Sequence, residues 1–258
     1  MYGVEIAQGW ADDIASTWEK AEIPSYEVDP QKTRHVAIIC DGNRRAAYNM
    51  HLLPYLGHMA GVEVIKGIAR AGRVWGIHTL TFWVWSTDNW RRDRKQSSFV
   101  MGLAKEHLSR ADFRQELYEA GARFIHLGRK DRLPKDLLEV ITDLERSTAH
   151  FQRHNLNLAL DYGGKDEIDR AVRQLLLNGQ DKSKGIGHFL DTAGQPSVDL
   201  VIRTGVDRNE LPHTSGFMPL QTANSAWIFL PHLFPNLTPE KLLQTIKQFE
   251  GYEKRLGR

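Results

Sequence analysis

The sequence predicts a single α/β domain with a largely parallel central sheet flanked by helices. Three observations lead there. Short apolar runs alternate along the chain with segments of helical periodicity, which is the signature of strand–helix–strand units. Those runs are apolar on both alternate positions, as strands buried on both faces are. Three of them also end abruptly in polar clusters, and in open α/β sheets ligands gather at the carboxyl ends of the strands. The chain has 258 residues and 41% apolar residues, enough for one sizeable core. No repeat, low-complexity stretch or convincing linker divides it.

The elements follow in order. Trp10, Ile14, Trp18 and Ala21 recur at helical spacing until Pro24 ends the pattern, so residues 1–34 read as a helical appendage. Its other face carries Asp12, Asp13 and Glu19, which favours docking on protein over an anionic membrane. Residues 35–258 form the main domain. Val36–Cys40 is a strand, His58–Trp75 a helix stopped by Gly76, and Ile77–Trp85 a second strand. Ser97–Ala120 reads as one long helix ending at Gly121. Arg123–Leu127 is a strand, Lys135–Arg153 a helix and Leu156–Leu160 a strand. Asp166–Leu177 is helical, Leu200–Arg203 and Trp227–Leu230 are strands, and Pro239–Arg255 closes the chain as a helix.

Composition excludes several classes. The net charge of +2 creates no global field toward nucleic acid or an anionic membrane. The single cysteine, Cys40, can form neither an internal disulfide nor a cysteine-rich zinc site. With no signal-peptide pattern at Met1–Glu5 and no run of the ~18 apolar residues a membrane span needs, the chain reads as cytoplasmic, with at most peripheral membrane contact.

The polar clusters carry the chemistry. The first is Asp41-Gly42-Asn43-Arg44-Arg45 after Val36–Cys40. The second, Ser86-Thr87-Asp88-Asn89-Trp90-Arg91-Arg92, follows Thr79–Trp85. The third is Arg203-Thr204-Gly205 after Asp199–Ile202. Each alone reads equally well as a solvated turn. Together, at one edge of a parallel sheet, they bring a carboxylate, amides, hydroxyls and guanidinium groups to one cleft. Such a cleft suits a polyanion with a metal, and a diphosphate best. Phe82, Trp83, Val84, Trp85, Val100, Met101, Leu103 and Leu108 lie beside it, either as plain core or as the wall of an apolar pocket.

These residues resemble the cis-prenyltransferases, whose best-known members are undecaprenyl diphosphate synthases. The resemblance runs from about His35 to about Leu243. It rests on His35–Asn43, Gly57-His58 with Ala60-Gly61, Ser86–Trp90 with Arg92, Tyr162-Gly163-Gly164, and Asp199–Gly205. It implies that family's fold, with an apolar tunnel beside the sheet. It also implies that an allylic diphosphate loses its diphosphate while a second isoprenoid, usually isopentenyl diphosphate, attacks the cation-like carbon. Carried over by position, Asp41 would be catalytic and bind Mg²⁺. Gly42, Asn43, Arg44, Arg45, His58, Trp90 and Arg92 would hold the allylic diphosphate. Asn89 and Ser86 would lie at the reacting centre, and Arg203, Arg208 and Ser215 would hold the second diphosphate. A homodimer is implied as well.

The sequence departs from the family pattern at informative places. Arg44 stands where glycine is usual, Ala46 where tryptophan is usual, and Pro54 where a phosphate-binding arginine is expected. His213 falls where a second arginine belongs, although Arg208 can reach the same place, and Ala226 replaces a metal-binding glutamate. Asp207 and Glu210 are the candidate replacements. These changes leave three outcomes open: a short-chain synthase with a rearranged loop, an enzyme coupling or cyclising two allylic diphosphates such as dimethylallyl diphosphate, and a silent partner subunit. Bulky Trp83, Val84 and Trp85 favour a short product. A nucleotide-binding module would need a Gly-x-Gly-x-x-Gly or Walker pattern, which the sequence lacks.

Overall fold

A computed structural model describes residues 2–177 and 185–253. Six strands, β1 (His35–Ile39), β2 (Thr79–Ser86), β3 (Ala122–Leu127), β4 (His154–Tyr162), β5 (Leu200–Arg203) and β6 (Ala226–Phe229), form one sheet in the order β3-β4-β2-β1-β5-β6. Every pairing is parallel. Eight helices accompany them among the described residues: α1 (Tyr2–Lys20), α2 (Asn43–Asn49), α3 (Gly57–Val74), α4 (Arg94–Leu108), α5 (Ala111–Ala120), α6 (Lys135–Thr148), α7 (Gly164–Leu177) and α8 (Pro239–Glu250). The predicted single parallel-sheet domain is the one observed.

Alternation along the central strand separates two cores, because successive side chains point to opposite faces. Val36 and Ile38 of β1 join Leu80, Phe82, Leu200 and Ile202 under α3 and α8. Ala37 and Ile39 join Ala159, Val201, Phe217 and Met218 on the other face. A bulge complicates β2: Trp83 pairs with Ala159, but Trp85 pairs with Leu160, so Val84 is an extra residue. In a regular strand Trp83 and Trp85 would share a face. Here Trp83 packs with Phe217, while Trp85 packs with Val100 and Phe124 beneath α4–α6.

Helix α1 lies along α3. Trp18 is 2% exposed, and its ring sits so close to Gly67 that a Cβ there would fall 2.2 Å from it. The chain beyond α1 is fastened to the end of α8, where the Glu250 carboxylate accepts hydrogen bonds from Tyr26, from the Thr33 hydroxyl and from the Asp29 amide.

Several boundaries differ from expectation. Ser97–Ala120 is two helices, because Arg110 takes an extended backbone at ψ 137° and the Ser109 hydroxyl donates to the Lys105 carbonyl at 2.7 Å. The sequence pattern runs on through that corner unchanged. The short helix α2 was not expected. Helix α6 stops at Thr148 rather than Arg153, β4 extends to Tyr162, and α8 ends at Glu250. Residues 254 and 255 of the expected final helix lie outside the described residues.

His35 is a buried constraint on stability. Its ring is fully buried, with Nδ1 2.9 Å from the Pro196 carbonyl and Nε2 2.7 Å from the Thr81 hydroxyl. Burial pulls its pKa down to about 4. The unfolded chain then binds a proton that the folded chain refuses between pH ~6.5 and ~4, so stability falls on acidification through that window. The full effect, reached below pH 4, is about 3 kcal/mol. Urea unfolding should show a lower midpoint at pH 4.5 than at pH 7, and His35→Gln should reduce that pH dependence, leaving the share of the other imidazoles whose pKa burial lowers, such as His58 and His107. A midpoint independent of pH contradicts the account.

Candidate active site

The first polar cluster sits where β1 ends. The Asp41 carbonyl accepts hydrogen bonds from the Phe234 amide at 3.0 Å and the Thr204 hydroxyl at 2.8 Å, which fixes the turn. Gly42 follows at φ 110°, and a Cβ there would lie 2.8 Å from the Leu233 Cα. Only glycine combines that conformation with that close approach. The chain then enters α2, placing Arg44 and Arg45 in its first turn.

Two arginines hold the Asp41 side chain. Arg45 Nη2 donates to Oδ1 at 3.2 Å and to the Gly205 carbonyl at 2.6 Å. Arg203, the last residue of β5, donates through Nη2 to Oδ2 at 3.1 Å. Arg203 is 6% exposed, and its Nη1 donates to the His213 carbonyl at 2.5 Å and to the Ser215 hydroxyl at 3.0 Å. The sheet therefore delivers a carboxylate from one strand end and its counter-charge from the next.

These groups line a polar cavity of about 760 Å³ at the carboxyl edge of the sheet. Asp41, Gly42, Asn43, Arg44, Arg45, His58, Ser86, Asn89, Arg92, Arg203 and Ser215 are all on its wall, as are Pro54 and Asp207. Trp90 and Arg208 are not. Trp90 instead meets Trp85 edge-on at 5.9 Å, and Arg92 lies 5.4 Å above the Trp85 ring. Arg208 is exposed on the loop after β5. Sequence reasoning missed Tyr48, Asn49, Pro231 and Leu233 on the same wall. Tyr48 and Asn49 belong to the unexpected helix α2, and the other two follow β6.

The wall carries an excess of positive charge. Arg44, Arg45, Arg92 and Arg203 face only two carboxylates there, Asp41 and Asp207. His58 lies among them, and its pKa is held down to about 4 by burial and then by the charges of Arg92 and Arg44. The imidazole is therefore neutral near pH 7. Burial and Arg44 also make Arg92 less basic. A doubly charged anion entering here relieves this repulsion.

Behind the polar cavity lies a second, apolar one of about 130 Å³, bounded by α3, α4, α5 and the β2–β4 strands. Cys40, Asn43, His58 and Val84 line both and form the throat between them. The Cys40 thiol is pushed up in pKa by burial, in keeping with the inert thiol expected from the sequence. Phe113, Phe124 and Leu108 line the inner part of the apolar space. Trp83 and Trp85, expected as its floor, line the polar cavity instead.

Ala226 starts β6 and pairs with Leu200, whereas Arg203 beside Asp41 pairs with Phe229. Three residues of strand, about 10 Å, separate it from the Asp41 edge. Within one chain, an acid at position 226 would not reach the Asp41 carboxylate.

The family model described as "Putative undecaprenyl diphosphate synthase" matches residues 39–257. The chain belongs to this family, the cis-prenyltransferases. It is 34% identical over 233 residues to the tritrans,polycis-undecaprenyl-diphosphate synthase (geranylgeranyl-diphosphate specific) of Thermococcus kodakarensis, covering 87% of each chain. It is 32% identical over 226 residues to the isoprenyl transferase of Aquifex aeolicus, covering 87% of this chain and 95% of that one. Among solved structures, lavandulyl diphosphate synthase from Lavandula x intermedia in complex with dimethylallyl diphosphate superposes with a TM-score of 0.80 and 28% identity. That match covers 89% of this chain and 100% of that one. The protein is thus a cis-prenyltransferase, a transferase that condenses prenyl diphosphates.

Sulfate, fully ionised at pH 6, tests the electrostatics of this cis-prenyltransferase cleft directly. An anion among Arg44, Arg92 and His58 should raise the His58 titration midpoint, read from its imidazole resonances, and Arg44→Gly should raise it without any anion. A midpoint that neither change moves contradicts the geometry.

Proposed function

We propose that this cis-prenyltransferase joins a dimethylallyl-sized allylic diphosphate to isopentenyl diphosphate and releases a short-chain prenyl diphosphate. The observation that carries the chain length is the apolar space of about 130 Å³ behind the cationic cleft. A dry cavity of about 150 Å³ holds one benzene molecule, so this one suits a five-carbon tail far better than a long polyprenyl chain.

The roles divide by chemistry. Arg44, Arg45, Arg92 and His58, with the backbone at Gly42 and Asn43, take the allylic diphosphate. Arginine suits this because its planar fork binds phosphate oxygens in pairs. Arg44 supplies a cation where Pro54 cannot. Ser86 and Asn89, on the same cavity wall, serve the reacting carbon. Arg203 and Ser215 take the second diphosphate. Trp90 acts by bracing Trp85 beneath Arg92. The protein works as a homodimer.

Mg²⁺ fits this site in one way. Among the described residues no group of three or more His, Cys, Asp or Glu side chains forms a metal cage. Mg²⁺, however, is commonly held by one or two carboxylates plus substrate phosphate oxygens. Asp41 offers such a carboxylate, with Asp207 also on the wall. Bound there with substrate, the ion would neutralise charge growing on the departing diphosphate. Arg45 and Arg203, released from Asp41, would then turn to phosphate oxygens.

A second reading couples two allylic diphosphates. Ala226, which offers no carboxylate, and the likeness to the lavandulyl diphosphate synthase fold favour it. One assay separates the two. The protein is incubated with Mg²⁺ and dimethylallyl diphosphate, with and without isopentenyl diphosphate, and released diphosphate and lipid are measured. Ten-carbon product only with both substrates supports the first reading, and product from dimethylallyl diphosphate alone supports the second. No diphosphate release from any mixture supports a silent subunit and refutes both. In the active mixture, Asp41→Ala should lower turnover by roughly 10²-fold or more; unchanged turnover contradicts its role.

A further inference from the structure

The loop after β5 carries an arrangement that diphosphate binding alone does not explain. Ser215 Oγ lies 3.0 Å from His213 Nδ1, and His213 Nε2 lies 3.4 Å from the Glu210 carboxylate. Arg203 Nη1 lies 3.1 Å from the same Nδ1 and 3.0 Å from the same Oγ. A guanidinium only donates. The Arg203 contact suits the tautomer that presents the Nδ1 lone pair and carries its proton on Nε2, on the Glu210 side. That tautomer leaves Nδ1 able to accept the Ser215 hydroxyl proton. The order carboxylate, imidazole, hydroxyl is that of an activated proton relay.

Backbone strain marks the same place. Ser215 has φ 52° and Met218 φ 46°, on either side of Phe217. Left-handed backbone at non-glycine residues costs about 1 kcal/mol or more each and gathers at functional sites. The strained turn aims Ser215 into the polar cavity, whose wall it shares with Asp41. His213 is outside that wall, with 55% of its side chain exposed, so a proton it accepts can pass to water.

We propose that His213, acting through the Ser215 hydroxyl and oriented by Glu210, takes the proton lost in the coupling reaction. The inference rests on the prenyl-coupling reading above. The allylic C–O bond breaks and its electron pair leaves with diphosphate. The double bond of the acceptor supplies the pair for the new C–C bond, leaving a carbocation on the acceptor. A neighbouring C–H bond then breaks, its electron pair becoming the product double bond. Its proton passes to Ser215 Oγ while the Ser215 proton passes to His213 Nδ1, and the imidazolium returns it to solvent. The balance is the same whether the acceptor is isopentenyl or allylic.

Three variants test this with whichever substrate mixture the wild-type protein couples. His213→Ala should lower kcat by about 10²-fold or more, leave KM for both substrates nearly unchanged, and recover turnover when imidazole is added. With deuterium at the acceptor carbon that loses the proton, His213→Ala should show a larger isotope effect on kcat than wild type. His213→Arg, which restores the cation the family usually has, should be as slow as alanine. Glu210→Gln should be slowed less, with KM unchanged. Wild-type kcat in His213→Arg, or an alanine variant that imidazole does not rescue, overturns the relay and leaves the position a diphosphate holder or a structural contact. Wild-type protein that couples no mixture refutes the proposed function instead, and the relay with it.

Discussion

The arrangement of the site depends on one carboxylate suspended between two guanidinium groups. Asp41 reaches Arg45 on one side and Arg203 on the other, and its own backbone carbonyl is pinned by Thr204 and Phe234. As a stabilising contact this ion pair is worth little, because the Asp41 side chain is 37% exposed and water screens it. Its importance is positional. It holds the Arg45 and Arg203 guanidinium groups at the cleft edge and gives the buried Arg203 a counter-charge. On the proposed function, an arriving diphosphate exchanges places with the carboxylate at small net electrostatic expense.

A parallel sheet makes that exchange possible. Strands β1, β2 and β5 are neighbours and end at the same edge, so three turns far apart in sequence face one cleft. Charge accumulates on one side of the throat and apolar surface on the other. The throat residues Cys40, Asn43, His58 and Val84 stand at the border, which suits a ligand with a charged head and a hydrocarbon tail. His58, neutral in the free protein, adds hydrogen-bonding capacity without adding to the repulsion among the arginines. The departure at Ala226 matters less for Asp41 than alignment with the family suggests, since β6 carries it to the far end of the strand.

Much of this was legible in the sequence. Buried parallel strands leave long apolar runs, and a run that stops at Asp41 or Arg203 marks the edge where the polar cavity lies. Other features were not legible for physical reasons. Helix α2 has seven residues, too few to show periodicity. The α4–α5 corner depends on one extended residue, Arg110, that no sequence pattern marks. The bulge at Val84 sends Trp83 and Trp85 to opposite faces, which strict alternation forbids, so the expected pocket floor moved to Phe113 and Phe124. Leu233 joined the site because Gly42 lets two backbones touch. The His213–Ser215 contact likewise arises from a strained loop, and the sequence offered His213 only as a missing arginine.

The most direct measurement is a crystal structure with a thio-analogue of dimethylallyl diphosphate and Mg²⁺. The account predicts the diphosphate among Arg44, Arg45, His58 and Arg92, the metal on Asp41, and the hydrocarbon tail beyond Val84 in the space lined by Leu108, Phe113 and Phe124. A diphosphate bound away from Asp41, or a tail pointing out of the throat into solvent, would contradict it.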